Sequence, residues 1–150
     1  MYYAELEKNC DEEIYKVIDK HEKEGILIDN FWLASGYSSG EKDNLRYVFN
    51  WNYKRFPEPE KFFENMNARG INVIPNLKPG ILKHHPYIDL FEKNDVFIKT
   101  PDGKAPYYGR WWGGEGRFFD FTGEAGRNTW KQLLEENILK KGTKTVWNDN

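Results

Sequence analysis

The sequence predicts an α/β protein in which four parallel strands alternate with three helices. Three observations carry that prediction. Short apolar runs alternate with longer segments whose apolar residues recur at helical spacing. The segments that join a helix to the next apolar run are short, whereas those after the second and third runs are very long. No phosphate-binding glycine fingerprint follows any of the apolar runs, which argues against a nucleotide-binding doubly wound sheet.

Tyr2 to Leu6 is the first candidate strand. Asn9 or Asp11 can cap the helix that follows, and Asp11, Glu12 and Glu13 suit its positive end. Ile14, Val17, Ile18 and His21 share one helical face, with His21 expected as a satisfied core residue, and Gly25 closes the helix. Ile26 to Leu33 (ILIDNFWL) reads as strand two. A long irregular stretch from Ala34 to Pro59 follows. Pro59 opens a second helix that turns Phe62, Phe63 and Met66 inward and ends at Gly70. Strand three is Ile71 to Leu77; Pro75 lacks a ladder donor, which predicts an edge position or a kink. Pro79-Gly80 ends it. The connection from about Ile81 to Thr122 is again expected to be irregular. A third helix starts near Gly123, carries Trp130, Leu133, Leu134 and Ile138, and stops before Gly142. Thr143 to Trp147 is strand four.

Alternation of this kind implies right-handed crossovers between parallel strands. Long loops on one side only put the binding face at the strands' C-terminal ends. A (β/α)₈ barrel needs about 250 residues, so 150 residues with four strands and three helices make about half of one. Such a half leaves two edges unpaired and predicts association with the missing half, with another copy, or non-specifically.

Composition excludes several classes. Lys and Arg (22) nearly balance Asp and Glu (24) without a basic stripe, so nucleic acid is not an expected partner. No run approaches the roughly 18 apolar residues of a membrane span. The start, MYYAELEKNCDEE, shows no basic region followed by an apolar stretch, and Cys10 is the single cysteine; both fit a cytoplasmic chain without a disulfide. His84 and His85 are adjacent, point apart and have no third ligand at suitable spacing, so a loop surface is expected rather than a metal. No cofactor is expected. Aromatic residues make up 17%, many beside Gly, Arg, Asn and Asp in unpatterned segments. They serve either a large core or a surface that stacks on sugar rings.

Three motifs carry a resemblance. WNDN, at the end of strand four, resembles the W-x-D-M-N-E signature of glycoside hydrolase family 31, the retaining α-glycosidases. RYVFNWNYKRFPEPEKFFENMNARGINVIPNLKPGI resembles that family's R-F-P-D-P, helix, A-R-G and strand with an x-P turn. GRWWGGEGRFFDFTGEAGRNTW resembles its W-P/G-G followed by D-Y/F-T-N-P. The order is collinear along the chain. The resemblance implies Asp149 as the nucleophile. It implies Trp147, Trp112 and Asn76 around the sugar and gives Asp120 a structural part; Tyr37 is a further candidate to line the site. It implies α-linked oligosaccharides or glycosides as partners and a retaining two-carboxylate mechanism. The general acid is expected beyond Asn150, and Asp89, Glu92, Asp95, Asp102 and Glu115 are expected to be solvated loop charges. Departures are visible: Ala34-Ser35-Gly36-Tyr37 replaces D-I-D-Y, Lys78 stands where Asp or Asn often precedes the proline, and Asn150 replaces Met. A different reading of the aromatic loops is a non-catalytic carbohydrate-binding or assembly domain.

Overall fold

The structure, a computed structural model, describes residues 5–111 and 113–149. In chain order the elements are α1 (Cys10–Lys23), β1 (Asn30–Leu33), α2 (Pro59–Ala68), β2 (Asn72–Leu77), β3 (Gly80–Leu82), α3 (Ile88–Lys93), β4 (Gly109–Trp111), β5 (Gly114–Phe118), α4 (Glu124–Asn137) and β6 (Trp147–Asn148). The expected first strand, Tyr2–Leu6, falls largely outside the described residues.

β1, β2 and β6 form a parallel sheet in that order, with Asn30 opposite Asn72, Trp32 opposite Ile74 and Asn76 opposite Trp147. Each new strand joins on the same side of the last. That is the progression of a barrel wall, and it matches the expected TIM-barrel half. The helices between them begin and end as their sequences require. α1 and α2 both close on a glycine in the left-handed region, Gly25 (φ 71) and Gly70 (φ 76). Each glycine lets the following residue donate back five positions: Ile26 to the His21 carbonyl at 2.9 Å and Ile71 to that of Met66 at 3.0 Å. A side chain at either glycine would meet no neighbour, so the backbone angle alone calls for glycine there.

Side chains in strands alternate between faces. Leu33, Val73 and Leu77 therefore point one way and enter one core with Ile14 and Ile18 of α1 and Phe62, Phe63 and Met66 of α2. Each such side chain, fully buried, contributes about 2 kcal/mol. Asn30, Trp32, Asn72, Ile74, Asn76 and Trp147 lie on the opposite face, which would be the inside of a barrel. Pro75 sits in the central strand, not at an edge. Asn72 donates toward β1 and the Leu77 carbonyl accepts from the β6 side, so alternation turns the donor-less nitrogen of Pro75 toward β6. Pairing on that side begins only at Asn76, so no ladder bond is lost.

Three expectations are corrected. Strand two starts at Asn30, not Ile26; Ile26 is spent on closing α1, and Leu27 is 89% exposed. Strand four is Trp147–Asn148 rather than Thr143–Trp147, because Thr143 bonds by its hydroxyl to the Val73 carbonyl (2.7 Å) and not through a ladder. The two long loops are organised. In the first, a 3₁₀ turn at Ser35–Ser38 is fixed by the Arg55 guanidinium, which donates to the Gly36 carbonyl (2.9 Å), Ser39 Oγ (3.0 Å) and Asn44 Oδ1 (3.0 Å). The second holds α3 and an antiparallel sheet in the order β3-β5-β4.

Aromatic packing locks these loops to the barrel wall. Trp130 of α4 touches Phe49 from the first loop and Phe119 and Phe121 from the second. Trp51 donates its indole N–H to the last helical carbonyl of α4, Asn137 (2.7 Å). His85 is buried, not on a loop surface. Its Nε2 lies 2.9 Å from the Val48 carbonyl and its Nδ1 accepts from the Tyr87 amide at 3.1 Å, which is the pattern of a neutral ring. Cys10 is buried, and burial pushes its thiol up to about 11. His21 is satisfied by the Val17 carbonyl at 2.8 Å.

Burial pushes the His85 imidazole from 6.5 down to about 4. Above pH 6.5 the folded and unfolded chains are both neutral there. Between 6.5 and 4 the unfolded chain binds a proton that the folded chain refuses, so stability falls by about 3 kcal/mol across that window and levels off below it. Urea midpoints at pH 7 and pH 4.5 should differ less in His85→Gln than in the wild type; an identical difference would contradict this account.

Candidate active site

The C-terminal ends of β2 and β6 build the site. β2 is pulled into place by its two neighbours. The Tyr37 hydroxyl donates to the Asn76 carbonyl at 2.7 Å, and the Asp149 amide donates to the Leu77 carbonyl at 2.9 Å. The second bond carries the ladder past Asn148 and fixes the backbone of Asp149.

Alternation then sets which side chains meet. Asn76 and Trp147 share the inner face, and Lys78 and Asp149 lie two residues further along the same two strands. The Asp149 carboxylate is consequently met by both donors of β2: Asn76 Nδ2 is 2.9 Å from Asp149 Oδ2, and Lys78 Nζ forms a short ion pair with the same oxygen. Asn76 and Lys78 are both buried. Trp147 crosses Trp32 edge to face, with centroids 5.6 Å apart. Trp32 is 51% exposed and lies on the inner face, where it belongs to this aromatic pair and not to the packed core. Among the described residues, Asn76 Oδ1 and Trp147 Nε1 are buried without a hydrogen-bond partner, so this face still has polar groups to satisfy.

A cleft of about 360 Å³ borders Asp149 and is lined by Leu77, Pro79, Phe121, Trp130 and Asn148. Leu77 and Asn148 point toward the helices, so the cleft opens on the outer side of the strand end. Asp149 thus stands between a polar and aromatic inner face and a largely apolar outer cleft.

The candidates named from sequence fall into three groups. Asp149, Asn76 and Trp147 converge. Tyr37 is fully buried; it supports the end of β2 through the Asn76 carbonyl and presents no face to solvent. Trp112 lies outside the described residues. Its neighbour Trp111 lies across β3 and β5, where a Cβ on Gly80 would come within 2.0 Å of the indole, so glycine is required beneath the ring. Asp120 accepts from the Thr122 hydroxyl (2.6 Å) and the Thr122 amide (2.9 Å) and so fixes the turn into α4; the Thr122 hydroxyl bond chiefly holds its carboxyl below the usual range. The loop acids are engaged locally: Glu92 with Arg117 (3.0 Å), Asp95 with Lys99, and Asp102 with Thr100 Oγ (2.6 Å). Lys78 was visible in the sequence only as a departure from the family pattern. Its contact with Asp149 follows from the i, i+2 spacing with Asn76 at a strand end, combined with a neighbouring strand that ends in a carboxylate.

Comparisons with known proteins agree with this fold. The family model described as the glycosyl hydrolases family 31 TIM-barrel domain matches residues 3–150. Alpha-glucosidase 2 of Bacillus thermoamyloliquefaciens is 26% identical over 141 residues, covering 93% of this chain and 17% of that protein. An alpha-glucosidase of Saccharolobus solfataricus is 26% identical over 138 residues, covering 92% of this chain and 19% of its own length. A crystal structure of a glucosidase II alpha subunit, in its alpha3-Glc2-bound form, superposes with a TM-score of 0.74 at 25% identity, covering 92% of this chain and 14% of that one. The chain therefore spans less than a fifth of the length of these relatives.

Removing the Tyr37 hydroxyl leaves the buried Asn76 carbonyl without that donor, at a cost of about 1–3 kcal/mol. Tyr37→Phe should lower the denaturant midpoint accordingly with an unchanged m-value; an unchanged midpoint would show that the bond does not hold β2.

Proposed function

The chain belongs to glycosyl hydrolase family 31, and on that premise we propose that it carries the nucleophile side of an α-glycosidase active site, as the first half of a catalytic barrel. The observation that carries this reading is the placement of Asp149. It is a carboxylate at a parallel strand's C-terminal end, oriented by two donors from the neighbouring strand and flanked by Trp147.

In this mechanism an oxygen of Asp149 attacks the anomeric carbon of a terminal α-linked sugar. The bond to the leaving oxygen breaks, and a glycosyl-enzyme ester forms. A second carboxyl group protonates that oxygen and then removes a proton from the water that hydrolyses the ester. Attack requires Asp149 to be ionised, and the donors Asn76 Nδ2 and Lys78 Nζ favour that form. Trp147 walls the sugar ring, a place the family resemblance also gives to Trp112; Asn76 borders the same subsite, and Tyr37 acts from behind it. The proton donor is supplied by residues outside this chain, which on its own does not turn over glycosides. The named activity of the alpha-glucosidase relatives supports an α-glucoside as the first substrate to try.

An aryl α-glucoside tests the reading. The 150-residue chain alone should release no aryl alcohol. The chain joined to the remaining strands of a barrel should release it, and Asp149→Asn should reduce that rate by on the order of 10⁴-fold or more. Turnover by the isolated chain that is lost in Asp149→Asn would overturn the division of the site. Undiminished turnover in the joined Asp149→Asn protein would remove Asp149 as nucleophile.

A further inference from the structure

We propose that Lys78 is a positioning residue for Asp149, pinning its carboxylate as a charged group in one orientation. The functional weight of that role rests on Asp149 being the nucleophile; the pairing itself does not.

Four observations carry the proposal. First, Lys78 Nζ and Asn76 Nδ2 both bond Oδ2 of Asp149, so one carboxylate oxygen is held from two directions by a single strand terminus. Second, the pair is shielded: the Lys78 side chain is 8% exposed and that of Asp149 25%. An ammonium is costly to bury without a counter-charge, so the sequence would not place lysine there for packing alone. Third, the backbone on both sides is fixed. Asp149 is tied through its amide to Leu77, and Pro79 and Gly80 follow Lys78 directly, with Gly80 covered by the Trp111 indole. Fourth, the other residues lining the cleft beside Asp149 are Leu77, Pro79, Phe121, Trp130 and Asn148, none of which ionises.

The position is a departure in the sequence, since the family resemblance places Asp or Asn before this proline. A carboxylate or amide there could not supply a positive charge. The first loop also lacks the two carboxylates of D-I-D-Y, at Ala34–Tyr37. Lys78 and Asp149 pair at the ends of β2 and β6.

Carbon-13 carboxyl NMR can follow the protonation midpoint of Asp149 in the 150-residue chain. Lys78→Met should raise that midpoint by at least about one pH unit, a tenfold change in proton affinity. Lys78→Arg, which keeps the charge, should bring it back to within a few tenths of the wild type. An unchanged Asp149 midpoint in Lys78→Met overturns the proposal. So does a Lys78→Arg midpoint raised as far as that of Lys78→Met, because that would be a packing effect without charge. These midpoints do not depend on turnover. An inactive joined protein with an intact pair would remove the glycosidase reading alone, and an active one with unchanged midpoints would remove only this proposal.

Discussion

A two-residue ladder decides which side chains meet at the strand ends. Asn76 pairs with Trp147 and Leu77 with Asn148, and the Asp149 amide extends the pairing by one bond. Side chains on strands alternate, so a slip of one residue would carry Asp149 and Trp147 to the helix side and bring Asn148 inward. The register is held from outside the ladder by the Thr143 hydroxyl on the Val73 carbonyl and by Asn67 Nδ2 on the Gly142 carbonyl, 2.9 Å away. Those two bonds act just before β6, where the chain must arrive at the right height on β2.

The same alternation separates stability from function. One face of the sheet is apolar and shares a core with α1 and α2. The other bears Asn30, Asn72, Asn76, Trp32 and Trp147, residues that would not be chosen for a helix contact. The long loops add a further layer, with Trp130 tying Phe49 and Phe119 together over α4. High aromatic content is thus largely a core property here: Phe49, Phe56, Phe62, Phe63, Phe91, Phe97 and Phe119 are all buried. Trp32 and Trp147 are the part that gathers near the strand ends.

Much of this was legible in the sequence. Gly25 and Gly70 mark helix ends because a left-handed closing residue costs other side chains more. Helical spacing correctly turned Ile14, Ile18, Phe62, Phe63 and Met66 inward. The position of Asp149 followed from the WNDN motif and its order relative to the other two. Other features were hidden for physical reasons. β3, β4 and β5 are short and rich in glycine, because Trp111 needs bare backbone beneath its ring, and glycine erases the strand signal. His85 and Tyr37 looked like loop residues, since local pattern does not report a bond to a carbonyl 37 or 39 residues away. Lys78 looked like an anomaly until a neighbouring strand brought a carboxylate to it.

On the proposed function, Asp149 is the carboxylate that forms and then releases the glycosyl ester. The most direct measurement is covalent capture. An activated 5-fluoro-α-glucosyl fluoride is offered to the chain joined to the rest of a barrel, and the labelled peptide is mapped by mass spectrometry. The account predicts one glycosyl ester, on Asp149, and no label on that peptide in Asp149→Asn. A label on another carboxylate with Asp149 intact would contradict it.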